Sequence, residues 1–160
     1  MMTRSPHERF TLIGLPAEKR RARFARDVAA GLTAAPKYLP CCYFYDRLGS
    51  LLFEAICELP EYYLTRAETA ILREHADEIV SLFPEATDLI ELGSGSAAKT
   101  RLLIEAFLRR HPTLRYVPLD ICRPVLEQSA LDLLRTYPTL EILAIAGEYH
   151  EGLGYLQPPS

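Results

Sequence analysis

The sequence predicts an α/β chain: a helical N-terminal segment, then the first half, about three parallel strands, of a doubly wound sheet. From residue 87 onward, short apolar runs alternate with helix-period segments in the order strand–helix–strand–helix–strand. That order implies parallel pairing with right-handed crossovers. Before residue 87, apolar residues recur at helical spacing, interrupted by two aromatic, proline-bearing turns. The composition, 49% hydrophobic and 24% charged over 160 residues, is that of an ordinary globular chain and argues against disorder or a fibrous repeat. Three regions follow: a flexible leader over 1–15, a helical segment over 16–86, and a partial sheet domain over 87–160.

The first helix is expected after Pro16 and runs to about Gly31, with Phe24, Val28 and Leu32 four apart as its apolar stripe. Residues 34–46 carry Pro36 and Pro40 and cannot be regular helix. Ser50 is expected to cap a helix over Leu51 to Leu59, stopped by Pro60. Thr65-Arg66-Ala67-Glu68 reads as a capping box. It is followed by a helical face of Ile71, Leu72, His75, Ile79 and Leu82 that ends at Pro84. Leu89 to Leu92 reads as the first strand, and a helix from about Ala98 to Arg110 faces inward through Leu102, Leu103, Ala106 and Phe107. Tyr116 to Asp120 is the second strand. Pro124 opens a helix with Leu126, Ala130, Leu133, Leu134 and Tyr137 on one face. Leu140 to Ile145 is the third strand.

Charge narrows the partners. The net charge of -3 gives no global attraction to nucleic acid or anionic lipid. Residues 1–31 hold seven Lys/Arg against three Asp/Glu, and the surplus in Glu18-Lys19-Arg20-Arg21-Ala22-Arg23 reads as a solvated helix face. No apolar run approaches the roughly 18 residues of a membrane span, and the N-terminus lacks the apolar stretch of a secretory signal. A cytoplasmic location is the expectation. Cys41, Cys42, Cys57 and Cys122 form no CxxC pair and the four histidines are scattered, so no metal is assigned.

The chemistry concentrates at Gly93-Ser94-Gly95-Ser96-Ala97-Ala98, a G-x-G-x-x-A bend between a predicted strand and helix. Glycine lets the backbone turn sharply and approach a ligand with no Cβ in the way. Asp120 ends the next strand, 25 residues after Gly95, where a carboxylate can accept both hydroxyl hydrogens of a ribose. Ala98-Lys99-Thr100 also suggests a P-loop, but Ala98 replaces its glycine. Glu91 and Asp120 would, moreover, face the phosphates, and no second acidic strand end is left for magnesium. A nicotinamide dinucleotide would use the same ribose carboxylate. Glu91, just before the glycines, suits a ligand carrying positive charge, such as S-adenosylmethionine.

Several stretches together resemble a known family. They are Pro36-Lys37-Tyr38-Leu39-Pro40, Tyr43-Phe44-Tyr45-Asp46-Arg47-Leu48-Gly49-Ser50, Leu59-Pro60-Glu61-Tyr62-Tyr63-Leu64-Thr65-Arg66, Glu91-Leu92-Gly93-Ser94-Gly95 and Lys99-Thr100-Arg101. In this order they look like the histidine-specific, S-adenosylmethionine-dependent methyltransferases, which trimethylate the α-amine of L-histidine to hercynine in ergothioneine biosynthesis. The resemblance covers residues 20–152, and its Phe-Tyr-Asp and Leu-Pro-Glu-Tyr-Tyr pieces are more specific than the glycine bend. Fungal relatives that methylate a prenylated tryptophan share much of the pattern.

The resemblance implies a Rossmann-like class I methyltransferase sheet, truncated after its third strand, with S-adenosylmethionine as cofactor and histidine as substrate. It implies that Gly93, Ser94 and Gly95 pass the methionine part of the cofactor, Lys99 meets its carboxylate, and Asp120 holds the ribose. Glu148 and Tyr149 stand where the family has Asp-Phe, facing the adenine amine and ring. Tyr45 and Tyr62 match tyrosines of the histidine pocket, where aromatic faces can surround an ammonium. No catalytic base is assigned. A missing C-terminal half is expected to complete the site, and the 160-residue chain alone is expected to be inactive. The competing readings are a non-catalytic Rossmann module that binds an adenosyl ligand or a protein partner, and a fragment of an NAD-dependent oxidoreductase.

Overall fold

The computed structural model describes residues 5–14, 17–85 and 88–156. The expected helix start at Pro16, the change of texture at residue 87 and the Gln157-Pro158-Pro159-Ser160 end lie outside the described residues. Four strands, β1 (Phe10–Gly14), β2 (Asp88–Leu92), β3 (Leu114–Asp120) and β4 (Leu140–Ala146), form one parallel sheet in the order β1-β4-β3-β2. The helices are α1 (Ala17–Thr33), α2 (Arg47–Cys57), α3 (Leu64–Ser81), α4 (Arg101–Arg110), α5 (Arg123–Thr136) and the short α6 (Tyr149–Gly152). Among the described residues no helix is long and apolar enough to cross a membrane.

The sheet half follows the apolar pattern. On α5, Leu126, Ala130, Leu133 and Leu134 are buried at the expected spacing, against Leu140, Ile142 and Ala144 of β4 and Tyr116 of β3. Val117, Leu119 and Ile145 point to the opposite face of the sheet, as strand alternation requires. From α4, Ile104, Ala106 and Phe107 enter the core, and α3 packs beside it through Ala76 and Val80. The α3 face is therefore rotated from the expected stripe, and Ile71 and Leu82 face solvent.

Residues 10–14 correct the reading of 1–15 as a flexible leader and of the sheet as three-stranded. Phe10-Thr11-Leu12-Ile13-Gly14 pairs in parallel with β4, from Phe10 opposite Ile142 to Gly14 opposite Ala146. The strand is fixed by distant partners, which a four-residue apolar run does not announce. Arg9, just before it, is buried, and its guanidinium donates to the carbonyls of Leu134, Tyr137 and Leu140 at 2.6–2.9 Å. Those carbonyls close the C-terminal end of α5 and open β4, so a cation there satisfies acceptors that the helix cannot.

Two helix starts differ from the sequence reading. Asp46, not Ser50, caps α2, its carboxylate accepting from the Gly49 amide at 2.8 Å. The predicted capping box does not form: α3 begins at Leu64, Tyr63 takes the N-cap position, and Thr65 lies within the helix. The Glu68 side chain thus caps nothing in its own helix and turns elsewhere.

Candidate functional site

Parallel pairing brings the C-terminal ends of the strands to one edge of the sheet, with Gly14 beside Ala146, Ala146 beside Asp120, and Leu119 beside Leu92. Ligands of open α/β sheets bind outside such ends. Here the edge opens into a cleft of about 1540 Å³ lined by all nine residues singled out from the sequence: Tyr45, Tyr62, Gly93, Ser94, Gly95, Lys99, Asp120, Glu148 and Tyr149.

The floor of the cleft is the bend after β2. Gly93 and Gly95 hold left-handed φ angles of +73° and +50°, which glycine adopts without steric cost. The Gly93 and Ser94 amides donate to the Leu119 carbonyl at 2.8 and 3.2 Å, and the Gly95 amide donates to Asp120 Oδ2 at 2.8 Å. The other oxygen of Asp120 accepts from the Cys122 amide at 2.8 Å, and its carbonyl accepts from the Gly147 amide at 3.0 Å. Asp120 thus ties together the loops that follow β2, β3 and β4. Each carboxylate oxygen accepts one amide hydrogen and keeps a second lone pair for a ligand.

Beneath the bend, Glu91 accepts from Thr100 Oγ1 at 2.5 Å and from the hydroxyl of the fully buried Tyr116. Burial pushes the Glu91 carboxyl above its ordinary value, against the opposing pull of those two hydrogen bonds and of Lys99. Its oxygens are engaged inside the protein, so it supports the bend from below. Ser94 Oγ is also buried here, with no protein partner.

Three charged contacts reach the cleft from the helical segment, and sequence reasoning missed all of them. Glu54 of α2 accepts from Ser96 Oγ at 3.0 Å, and Glu68 of α3 pairs with Lys99. Arg23 of α1 donates to Glu148 at 2.5 Å and to Glu151 at 3.1 Å, which corrects the reading of the whole basic run as a solvated face. Nothing in the local sequence signals Arg23, since its partners lie 125 and 128 residues away. Glu68 did carry a signal, the motif that was read as a helix cap. Asp27, one turn on from Arg23, accepts from the Tyr43 hydroxyl at 2.7 Å. Burial and that bond push the Tyr43 phenol up to about 12.

The aromatic wall is continuous. Tyr45 and Tyr62 each meet Phe53 edge-on, with ring centroids 6.4 and 5.9 Å apart. Across the cleft, the Tyr149 hydroxyl lies 2.6 Å from where a Cβ on Gly93 would sit, so a side chain at Gly93 would push that half-exposed ring aside. Burial and the neighbouring Asp120 and Tyr45 raise the Tyr149 phenol above its ordinary value.

A glycine bend joined to a strand-end carboxylate, at the carboxyl edge of a parallel sheet, defines a Rossmann-like α/β chain with a nucleotide-type cleft. The chain itself belongs to the family described as histidine-specific methyltransferase, SAM-dependent, whose model matches residues 24–160. It is 44% identical over 140 residues to histidine N-alpha-methyltransferase of Mycolicibacterium smegmatis, covering 88% of this chain and 43% of that protein. It is 46% identical over 128 residues to the Mycobacterium tuberculosis protein of the same name, covering 80% of this chain and 40% of the relative. With ergothioneine biosynthesis protein 1 of Neurospora crassa it shares 38% identity over 124 residues, covering 78% of this chain and 14% of that protein. The chain therefore spans about two fifths of the length of the two mycobacterial relatives.

Proposed function

We propose that these residues form the cofactor-binding part of an N-methyltransferase that transfers methyl groups from S-adenosylmethionine to the α-amine of histidine. The observation that carries the reading is the bond from the Gly95 amide to Asp120, which holds an open glycine bend and a strand-end carboxylate in one cleft. The open space beside Gly95, where a Cβ would meet only Glu54 Oε1 at 3.9 Å, and the unpartnered Ser94 Oγ fit close approach of a polar ligand. When bound, S-adenosylmethionine supplies an electrophilic methyl that a neutral amine displaces from the sulfonium.

In this reading Asp120 accepts from the ribose hydroxyls with its free lone pairs, and Lys99 faces the carboxylate of the amino-acid tail. Glu148, oriented by Arg23, accepts from the adenine amine, and the Tyr149 ring packs on the base. Tyr45 and Tyr62 border the substrate's amine, their aromatic faces stabilising the cation that builds up by about 0.5–2 kcal/mol. The cleft, about 1540 Å³, exceeds the ~300–1,000 Å³ of a single-ligand pocket, which leaves volume for an amino acid beside the cofactor. Positioning carries most of the catalysis, since alignment of donor and acceptor can supply about 7–11 kcal/mol. We assign turnover to the full length of the relatives, of which this chain spans a part.

Thermal unfolding with S-adenosylhomocysteine and with NAD tests the reading. At ten times Kd the first ligand should stabilise by about 1.4 kcal/mol and raise the Tm by roughly 3–6 °C, while Asp120→Ala abolishes the shift. A shift with NAD alone, or none with either ligand, overturns it.

A further inference from the structure

We infer that Glu68 is a built-in rival for Lys99, occupying its ammonium until a carboxylate-bearing ligand takes its place. The inference rests on the reading above that Lys99 faces the cofactor's carboxylate. Glu68 reaches this position because of how α3 begins. Thr65-Arg66-Ala67-Glu68 has the spacing of a capping box, yet the helix starts one residue before Thr65, and Glu68 makes no cap. Its carboxylate instead crosses to Lys99, 31 residues away, in the turn that follows the glycine bend.

The local charges give the contact its meaning. Lys99 pairs directly with Glu68, and both lie close enough to Glu91 to act on its charge, Lys99 favouring the ionised form and Glu68 opposing it. Glu54 adds a third carboxylate on the same rim through Ser96. An incoming carboxylate must either displace Glu68 or sit beside it. Lysine has three donors and can serve two anions, but the anions then repel each other. Both routes weaken the hold of Lys99 on a ligand's carboxylate, by more than Glu68 at this distance returns to the ligand's ammonium beside it, and leave a ligand without an amino-acid tail unaffected. The Lys99 and Glu68 side chains are 35% and 53% exposed, so the rivalry is modest and water screens it.

The test measures Kd by calorimetry for S-adenosylhomocysteine and for 5′-methylthioadenosine, which shares the adenosyl part but lacks the amino-acid tail. It uses the 160-residue chain, Glu68→Gln and Lys99→Met. Glu68→Gln should tighten S-adenosylhomocysteine about two- to fivefold, the range of an exposed ion pair, and leave methylthioadenosine unchanged. Lys99→Met should erase the preference for the tailed ligand. Unchanged or weaker binding of S-adenosylhomocysteine to Glu68→Gln, with the preference still lost in Lys99→Met, overturns the rivalry and spares the cofactor reading. Equal tightening of both ligands also overturns it. A preference that survives Lys99→Met, or no binding of either ligand to the unmodified chain, overturns the cofactor reading and the inference with it.

Discussion

The sheet and the helical segment before it are built on opposite terms. Between β2 and β4, Tyr116, Leu126, Leu133 and Leu140 are inaccessible to solvent, and the polar groups of the loops are tied together at Asp120. Over α1 and α2, Leu32, Leu48 and Leu51 are 45%, 64% and 59% exposed and α2 buries no side chain fully, while α3 joins the core through Ala76 and Val80 alone. Beyond those two residues and the aromatic wall, this segment contributes reach: Arg23, Glu54 and Glu68 touch the loops of the sheet. Apolar burial sets the position of the cleft, and long polar side chains from the other region furnish its rim.

The same substitution in each region should expose the contrast. Leu126→Ala, in the packed face of α5, should cost about 2–5 kcal/mol in urea unfolding, the range for truncating a buried leucine. A loss below about 1 kcal/mol would mean that the sheet is no better packed than the helices.

Glu91→Gln probes the polar support under the bend, with an intermediate effect that depends on pH. Because burial raises the Glu91 carboxyl above its ordinary value of 4.5, the folded state holds this proton more tightly than the unfolded chain. Ionised Glu91 therefore costs stability. Its contribution is most favourable below the ordinary carboxylate value and declines as pH rises from there through the raised one. The difference in unfolding free energy between the parent and Glu91→Gln should change in that direction over this window and level off above it. A pH-independent difference would show that the carboxyl titrates alike in both states.

The smallest change is expected from Leu51→Ala on the exposed face of α2, within about 0.5 kcal/mol of the parent. A cost approaching that of Leu126→Ala would erase the distinction between the regions.

How much of this the sequence announces follows the same division. β2, β3, β4 and the inward face of α5 were legible because local apolar period and tertiary burial agree there. The glycine bend and Asp120 were legible because strand, bend and strand-end acid have a fixed order. β1 was not, because Phe10-Thr11-Leu12-Ile13 is short and its partners lie in β4. Ser50 and Thr65 suggest helix starts that fall elsewhere: Asp46 takes the cap of α2 with its carboxylate, and α3 begins one residue before Thr65 with no side-chain cap. Arg23 and Glu68 stayed hidden because a charged side chain in sequence does not declare which distant loop it meets.

The N-terminal strand sets a boundary for anyone shortening this protein. The family model matches from residue 24, yet Gly14 ends beside Ala146, next to the loop of Glu148, and Arg23 grips that carboxylate from the last position before the match. A version cut to residues 24–160 would remove the strand that pairs with the outer side of β4 and the cation that holds the acid at its tip. Fusion tags belong ahead of Ser5, and swaps between relatives should carry this opening stretch along with the sheet it closes.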